Sequence, residues 1–176
     1  MRIDVFVGAL ALLCATPAMA SDPPYADADE ALAALESVIG CDAERSDYMR
    51  IGGAASGIGG DVQPALAAWR QVESGNSFVV EYALPAPIEV AGHRTDRVLF
   101  AAGSVLAVLD GDHVEPLSKS LGLSANAAAM AGHIRTRDVR STDLGDGVSV
   151  KVVQTVSTIN SHPGRTLLGC EYRLAY

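Results

Sequence analysis

From Asp29 to Ile39, apolar positions recur at spacings of three and four, through Leu32, Leu35, Val38 and Ile39. That period predicts an amphipathic helix, with Asp27 or Asp29 to cap its start and Gly40 to stop it. It delivers Cys41 at its end. Asp42 to Arg50 is polar and allows a short second helix, but glycines at 52, 53, 57, 59 and 60 then crowd the chain, and Gly52 to Gly60 is expected to be a loop. Asp61 and Pro64 suit the start of a further short helix through Leu66 and Trp69.

After Ser77 the pattern changes to short runs of branched and aromatic residues. Strands are expected at 78–84, 88–91, 97–102 and 105–109, separated by Pro85-Ala86-Pro87, Gly92 and Gly103. A helix is expected at 116–123 or 124–130, and three more strands near 133–140, 148–158 and 166–176. In the last two, Val148, Val150, Val152 and Val156 share one face, as do Leu168, Cys170, Tyr172, Leu174 and Tyr176, so one side is buried and the other wetted. The fold class that follows is α+β: one antiparallel sheet of about six or seven strands packed with two to four short helices. The order helix, strands, helix, strands suggests two similar halves, without a residue-level repeat.

Residues 1–20 are expected to be a cleaved signal peptide. Arg2 precedes an apolar run from Val5 to Cys14, and Ala18-Met19-Ala20 has the small-x-small form of a cleavage site. Leu12 and Leu13 ahead of Cys14 do not fit lipid attachment there. Residues 21–176 are then a single exported domain with no membrane span, in a periplasm-like or extracellular compartment. Two cysteines remain, Cys41 and Cys170, and an even count in an oxidising compartment predicts a disulfide. There is no Cys-x-x-Cys pair to suggest redox chemistry.

Gly53-Ala54-Ala55-Ser56-Gly57-Ile58-Gly59 resembles the glycine-rich cofactor turn of short-chain dehydrogenases. The resemblance stops there. The residues before it, 45–50, are mostly polar where a buried strand is needed, Pro64 follows soon after, and no tyrosine has a lysine four residues on. No cofactor is expected. The alternating, aromatic C-terminus resembles the closing strand of an outer-membrane barrel, but the helical and glycine-rich stretch from Asp27 to Gln71 leaves too little chain for about eight spans. Asp110, Asp112, His113 and Glu115 are expected to form a solvated turn rather than a metal site, since Glu115 stands where a calcium loop needs glycine. His93, His113, His133 and His162 lie far apart in sequence, without metal-ligand spacing.

Charge is unevenly distributed. Residues 21–130 hold 6 basic and 16 acidic groups, whereas residues 131–176 hold 6 and 4. An acidic chain without a long basic run does not suit nucleic acid. Lys151, Arg165 and Arg173 are expected on the outward sheet face, and Arg135 with Arg137 on one face of the strand before, giving a candidate binding strip. No catalytic motif is present. The expected function is a non-catalytic binding or inhibitor protein that meets a basic envelope protein through surface contacts. The alternatives are a small exported hydrolase with His93, His133 or His162 as general base, or a carrier of an apolar small molecule.

Overall fold

The computed structural model describes residues 25–57, 63–126 and 133–176. The expected leader, the glycines at 59 and 60, the capping Asp61 and residues 127–130 lie outside them; of the two places expected for a helix, 116–123 or 124–130, the first holds α3 and the second begins with the strand Ser124–Ala125. The fold is α+β, as the pattern implied: helices α1 (Ala28–Ile39), α2 (Arg45–Ser56) and α3 (Val114–Leu121) with one antiparallel sheet. Its strands are β1 (Arg70–Val72), β2 (Val80–Val90), β3 (His93–Ala101), β4 (Ser104–Asp110), β5 (Ser124–Ala125), β6 (Ile134–Gly145), β7 (Val148–Ser157) and β8 (Arg165–Ala175). Six are long. The count of eight arises because the two runs on either side of Pro85-Ala86-Pro87 form one strand with a register shift between Ala83 and Ile88, while β1 and β5 are two short edge strands.

Spatial order along the sheet is β1-β2-β3-β4-β8-β7-β6-β5. Each half is therefore a four-stranded meander preceded by helix. The two meanders meet through their final strands, β4 and β8, in an antiparallel pair, which gives the halves an approximate two-fold relation in topology. Leu106 lies opposite Gly169 in that pair. A Cβ at Gly169 would run into the Val105 carbonyl oxygen and the Leu106 Cα, so only glycine permits this close approach at the centre of the sheet.

The helices cover one face. Leu35, Val38 and Ile39 of α1, Ile51 and Ala54 of α2, and Val114 and Leu117 of α3 enter one core with Val105, Ala107, Val152, Val156, Leu168, Cys170 and Tyr172 of the strands. Asp27 caps α1 by accepting from the Glu30 N–H at 2.9 Å. At its other end Gly40 stays right-handed, and it is Cys41 that takes the left-handed φ of 68°. The Asp42 N–H returns to the Ser37 carbonyl at 3.0 Å, closing the terminal turn. A cysteine occupies a position where glycine is usual. Its side chain is tied across the core to Cys170 of β8, with 5.4 Å between the Cα atoms.

Two expectations are corrected. The stretch beginning at Gly52 is not a loop from its first glycine: α2 runs through Gly52 and Gly53 to Ser56 and ends at Gly57, with φ 66°. Packing overrides propensity here. Ile51 and Ala54 are buried at helical spacing, Tyr48 and Ala55 pack beside them, and the Asp47 carboxylate accepts from the Glu44 N–H at 3.0 Å to start the helix. Nothing stands within 4 Å of a Cβ built at Gly52 or Gly53. The double change Gly52→Ala, Gly53→Ala is thus expected to stabilise the protein by about 1–2 kcal/mol in denaturant titration; no gain would mean the segment is not helical in solution.

The second correction concerns the face away from the helices. Thr166 to Cys170 are buried on both sides rather than wetted on one, as are Val105 to Leu109 of the neighbouring strand. Leu99, Leu106, Val108 and Leu167 form a second apolar cluster there, packed by Val79, Ala101 and Ile159. The chain leaving β7 folds back over the middle of the sheet, and strand alternation cannot announce that. At the far end of β8 the alternation outruns the helical layer, leaving Leu174 37% and Tyr176 92% exposed.

Tyr172 lies beside the disulfide, stacked on Tyr48 with ring centroids 5.4 Å apart. Its hydroxyl donates to the Val38 carbonyl at 2.8 Å. Burial pushes the phenol far above its ordinary range; nearby Arg140 opposes this, while Asp42, Asp47 and Glu44 add to it. The neutral form is the one the fold favours. Stability from this group is therefore complete below about pH 10, where free tyrosine ionises, and falls as the pH rises further. Alkaline unfolding is expected to be flatter in Tyr172→Phe, and a wild-type-like slope in that variant would exclude this phenol as the cause.

Candidate functional site

The most organised polar group of the molecule lies on the sheet face away from the helices. Glu81 of β2 is 2% exposed, beside Leu99 of β3 in the register. One carboxylate oxygen accepts from Arg97 Nη2 at 2.5 Å, and the other meets His162 Nε2 at 3.0 Å. His162 is 6% exposed, and its Nδ1 is 3.0 Å from the Ser161 hydroxyl. In the neutral tautomer that carries its proton on Nε2, toward the carboxylate, Nδ1 accepts from Ser161. The result is a chain of guanidinium, carboxylate, imidazole and hydroxyl. Beside it is an open cavity of about 500 Å³ whose walls include Asp112, Thr158, Asn160, His162 and Arg165.

Sequence reasoning named His162 but missed Glu81. Their separation of 81 residues hides the pair, and a glutamate within an apolar strand reads as an outward-facing residue. The other histidines stand elsewhere. His93, at the β2–β3 turn, meets His113, just before α3, with ring centroids 4.6 Å apart. His113 Nε2 is 2.7 Å from the Asp110 carbonyl, and His133 is exposed just before β6. The acidic turn is engaged internally. Asp110 pairs with Arg165 at 2.9 Å, Asp112 accepts from the Val114 N–H at 3.2 Å, and Glu115 pairs with Arg135 at 2.6 Å. Among the described residues no group of three or more His, Cys, Asp or Glu side chains converges as a metal site.

The basic residues do not form one strip. Lys151 lies directly opposite Arg173 in the β7–β8 register, and with Arg165 they occupy the face away from the helices. Arg135 and Arg137 lie opposite Val156 and Gln154 of β7, which puts them on the helix side. There Arg137 donates to Gln154 at 2.7 Å, while Arg140, two register positions further on, reaches the Ala43 carbonyl and Glu44. Residues 27–50, the α1–α2 layer, carry seven carboxylates against two arginines. Asp27 and Glu30 are occupied at the start of α1, and Asp47 pairs with Arg50 at 3.5 Å. Asp29 and Asp42 are exposed and, among the described residues, in no ion pair. The α1–α2 layer itself is thus acidic, while basic residues stand on both faces of the sheet: Arg135, Arg137 and Arg140 on the helix side, and Lys151 with Arg173 on the other, where Arg173 pairs with Glu171 at 3.7 Å.

No family model, curated protein or solved structure matches this chain. No helix among the described residues is long and apolar enough to cross a membrane. The sheet is open, with β1 and β5 as its edges.

Proposed function

We propose that this is an exported binding or inhibitor protein that acts through its surface, presenting the acidic α1–α2 layer to a basic protein of the cell envelope. The observation that carries the reading is the acidity of the α1–α2 layer, seven carboxylates against two arginines in residues 27–50, with Asp29 of α1 and Asp42 after it exposed and in no ion pair among the described residues. Complementary charge speeds encounter and is weakened by salt. Export rests on the apolar leader sequence, and the disulfide agrees with it. The test is retention of envelope proteins on the oxidised protein, followed by salt elution. A basic partner whose affinity falls roughly tenfold in Asp29→Lys, Asp42→Lys, but not in Lys151→Ser, Arg173→Ser, supports the reading. Equal binding by both variants overturns it.

A second reading has one specific observation behind it, the chain from Glu81 through His162 to Ser161. Such a chain can draw the proton from a serine hydroxyl and favour attack on an ester. Hydrolysis of small esters that disappears in Ser161→Ala, at unchanged thermal stability, would establish it.

A further inference from the structure

We infer that His93 and His113 form a two-imidazole site for a late first-row divalent metal ion, Cu(II) above the others. The two lie 20 residues apart in the sequence, yet their rings meet with centroids 4.6 Å apart and planes tilted by 51°. With metal–nitrogen bonds of about 2.0 Å, imidazoles on adjacent corners of a square hold their centroids about 4.5 Å apart, against about 5.1 Å at a tetrahedral angle. The observed separation matches the square arrangement, which Cu(II) favours, and Cu(II) also binds nitrogen donors most tightly in its series.

Both rings stand on fixed turns. His93 closes the two-residue turn between β2 and β3, opposite Val90, with Ala91 and Gly92 left-handed at φ 49° and 79°. The His113 N–H donates to the Thr166 hydroxyl at 2.8 Å, and that hydroxyl donates to the Gly111 carbonyl at 2.9 Å. The His113 ring is held as well. Its Nε2 lies 2.7 Å from the Asp110 carbonyl, which only accepts, so Nε2 donates and the neutral ring keeps its lone pair on Nδ1. Donating one ring nitrogen to a backbone carbonyl while presenting the other is how histidines are oriented as metal ligands. Among the described residues, His113 Nδ1 and both nitrogens of His93 make no hydrogen bond, and none of the three is sealed from solvent. Asp112, exposed beside His113 in the chain, adds negative charge nearby. No third His, Cys, Asp or Glu side chain among the described residues converges with the pair, so water takes the remaining corners. This site depends neither on the acidic helical layer nor on Ser161.

Titration of the untagged, oxidised protein with Cu(II) is the test. At one equivalent, electron paramagnetic resonance should show coupling to two imidazole nitrogens, and paramagnetic broadening of amide resonances should centre on residues 91–94 and 111–114. His93→Gln and His113→Gln should each weaken binding at least about tenfold and leave one imidazole coupled, with far-ultraviolet circular dichroism unchanged. His133→Gln, which removes an exposed histidine elsewhere, should alter neither reading. His93→Gln lies in an exposed-edge turn and keeps the test informative even if His113→Gln disturbs the start of α3. The inference is overturned if the broadening centres elsewhere, if a single imidazole couples in the unaltered protein, or if His93→Gln binds Cu(II) as tightly and with the same couplings.

Discussion

Reduction of the Cys41–Cys170 bond, or its replacement in Cys41→Ser, Cys170→Ser, is expected to lower stability by about 5 kcal/mol, enough to unfold much of a marginal domain. The bridge spans 129 residues, so it removes more conformational freedom from the unfolded chain than a local bridge would. It also anchors a turn that resists its own geometry. Cys41 holds a left-handed backbone that favours glycine, and the cross-link to β8 keeps it there. Once the bond is gone, that conformation must be held by the hydrogen bond from the Asp42 N–H to Ser37 and by packing alone. Denaturant titration with and without reductant measures the difference. A loss below about 1 kcal/mol would show that helix packing, not the cross-link, holds α1 on the sheet. The variant Cys41→Gly, Cys170→Ala separates the two contributions, because glycine accepts the left-handed turn: it should recover about 1 kcal/mol over the serine pair.

The second large effect concerns Glu81. Glu81→Gln is expected to cost about 2–4 kcal/mol, since the change leaves Arg97 and the buried His162 without the carboxylate that both contact. Arg97 is 28% exposed and retains some hydration, which keeps the figure below that of a wholly buried pair. The damage has a location. His162 fastens the turn at 158–164, and Ile159 of that turn covers Leu99, Leu106, Val108 and Leu167. Amide exchange should therefore rise in 158–164 before it rises in α1, and an environment-sensitive apolar dye should bind the uncovered cluster. A double-mutant cycle with His162→Gln should give a coupling of roughly 1–3 kcal/mol. Strict additivity would mean that Glu81 acts through Arg97 alone, and that the turn is held by its apolar contacts.

The same two features show how far the chain could be read without its structure. The helix beginning after Asp27, the alternation in β7 and β8, and, on the expectation that residues 1–20 are a leader, the pairing of Cys41 with Cys170 are local or countable, and sequence alone determined them. Their physical basis is short-range: capping, a period of 3.6 or 2, and an even number of thiols. Glycine content misled at α2 for the converse reason. The propensity penalty of Gly52 and Gly53 is visible in one dimension, whereas the burial of Ile51 and Ala54 against the core that offsets it is not.

Only the tertiary structure decided that Arg135 and Arg137 lie on the opposite face of the sheet from Lys151, Arg165 and Arg173. Arg135 and Arg137 share a strand face, as their spacing requires, but that face is the helix side because Arg135 lies opposite Val156 in the β6–β7 register. Lys151 and Arg173 face the other way, as the alternation of β7 and β8 implied, and register places them directly opposite each other. Register depends on pairing between distant segments, and a shift of one residue would exchange the two faces. Tertiary structure likewise brought His162 to Glu81, His93 to His113 and Trp69 to the end of α2. Each pair joins a turn or strand to a partner far along the chain, and the free energy that joins them comes from apolar burial elsewhere in the sheet. What the sequence determined by itself is the α+β class, the first helix, the long strands at the end of the chain and their covalent tie; where the chemistry meets was set by long-range packing, which leaves no periodic trace in the order of residues.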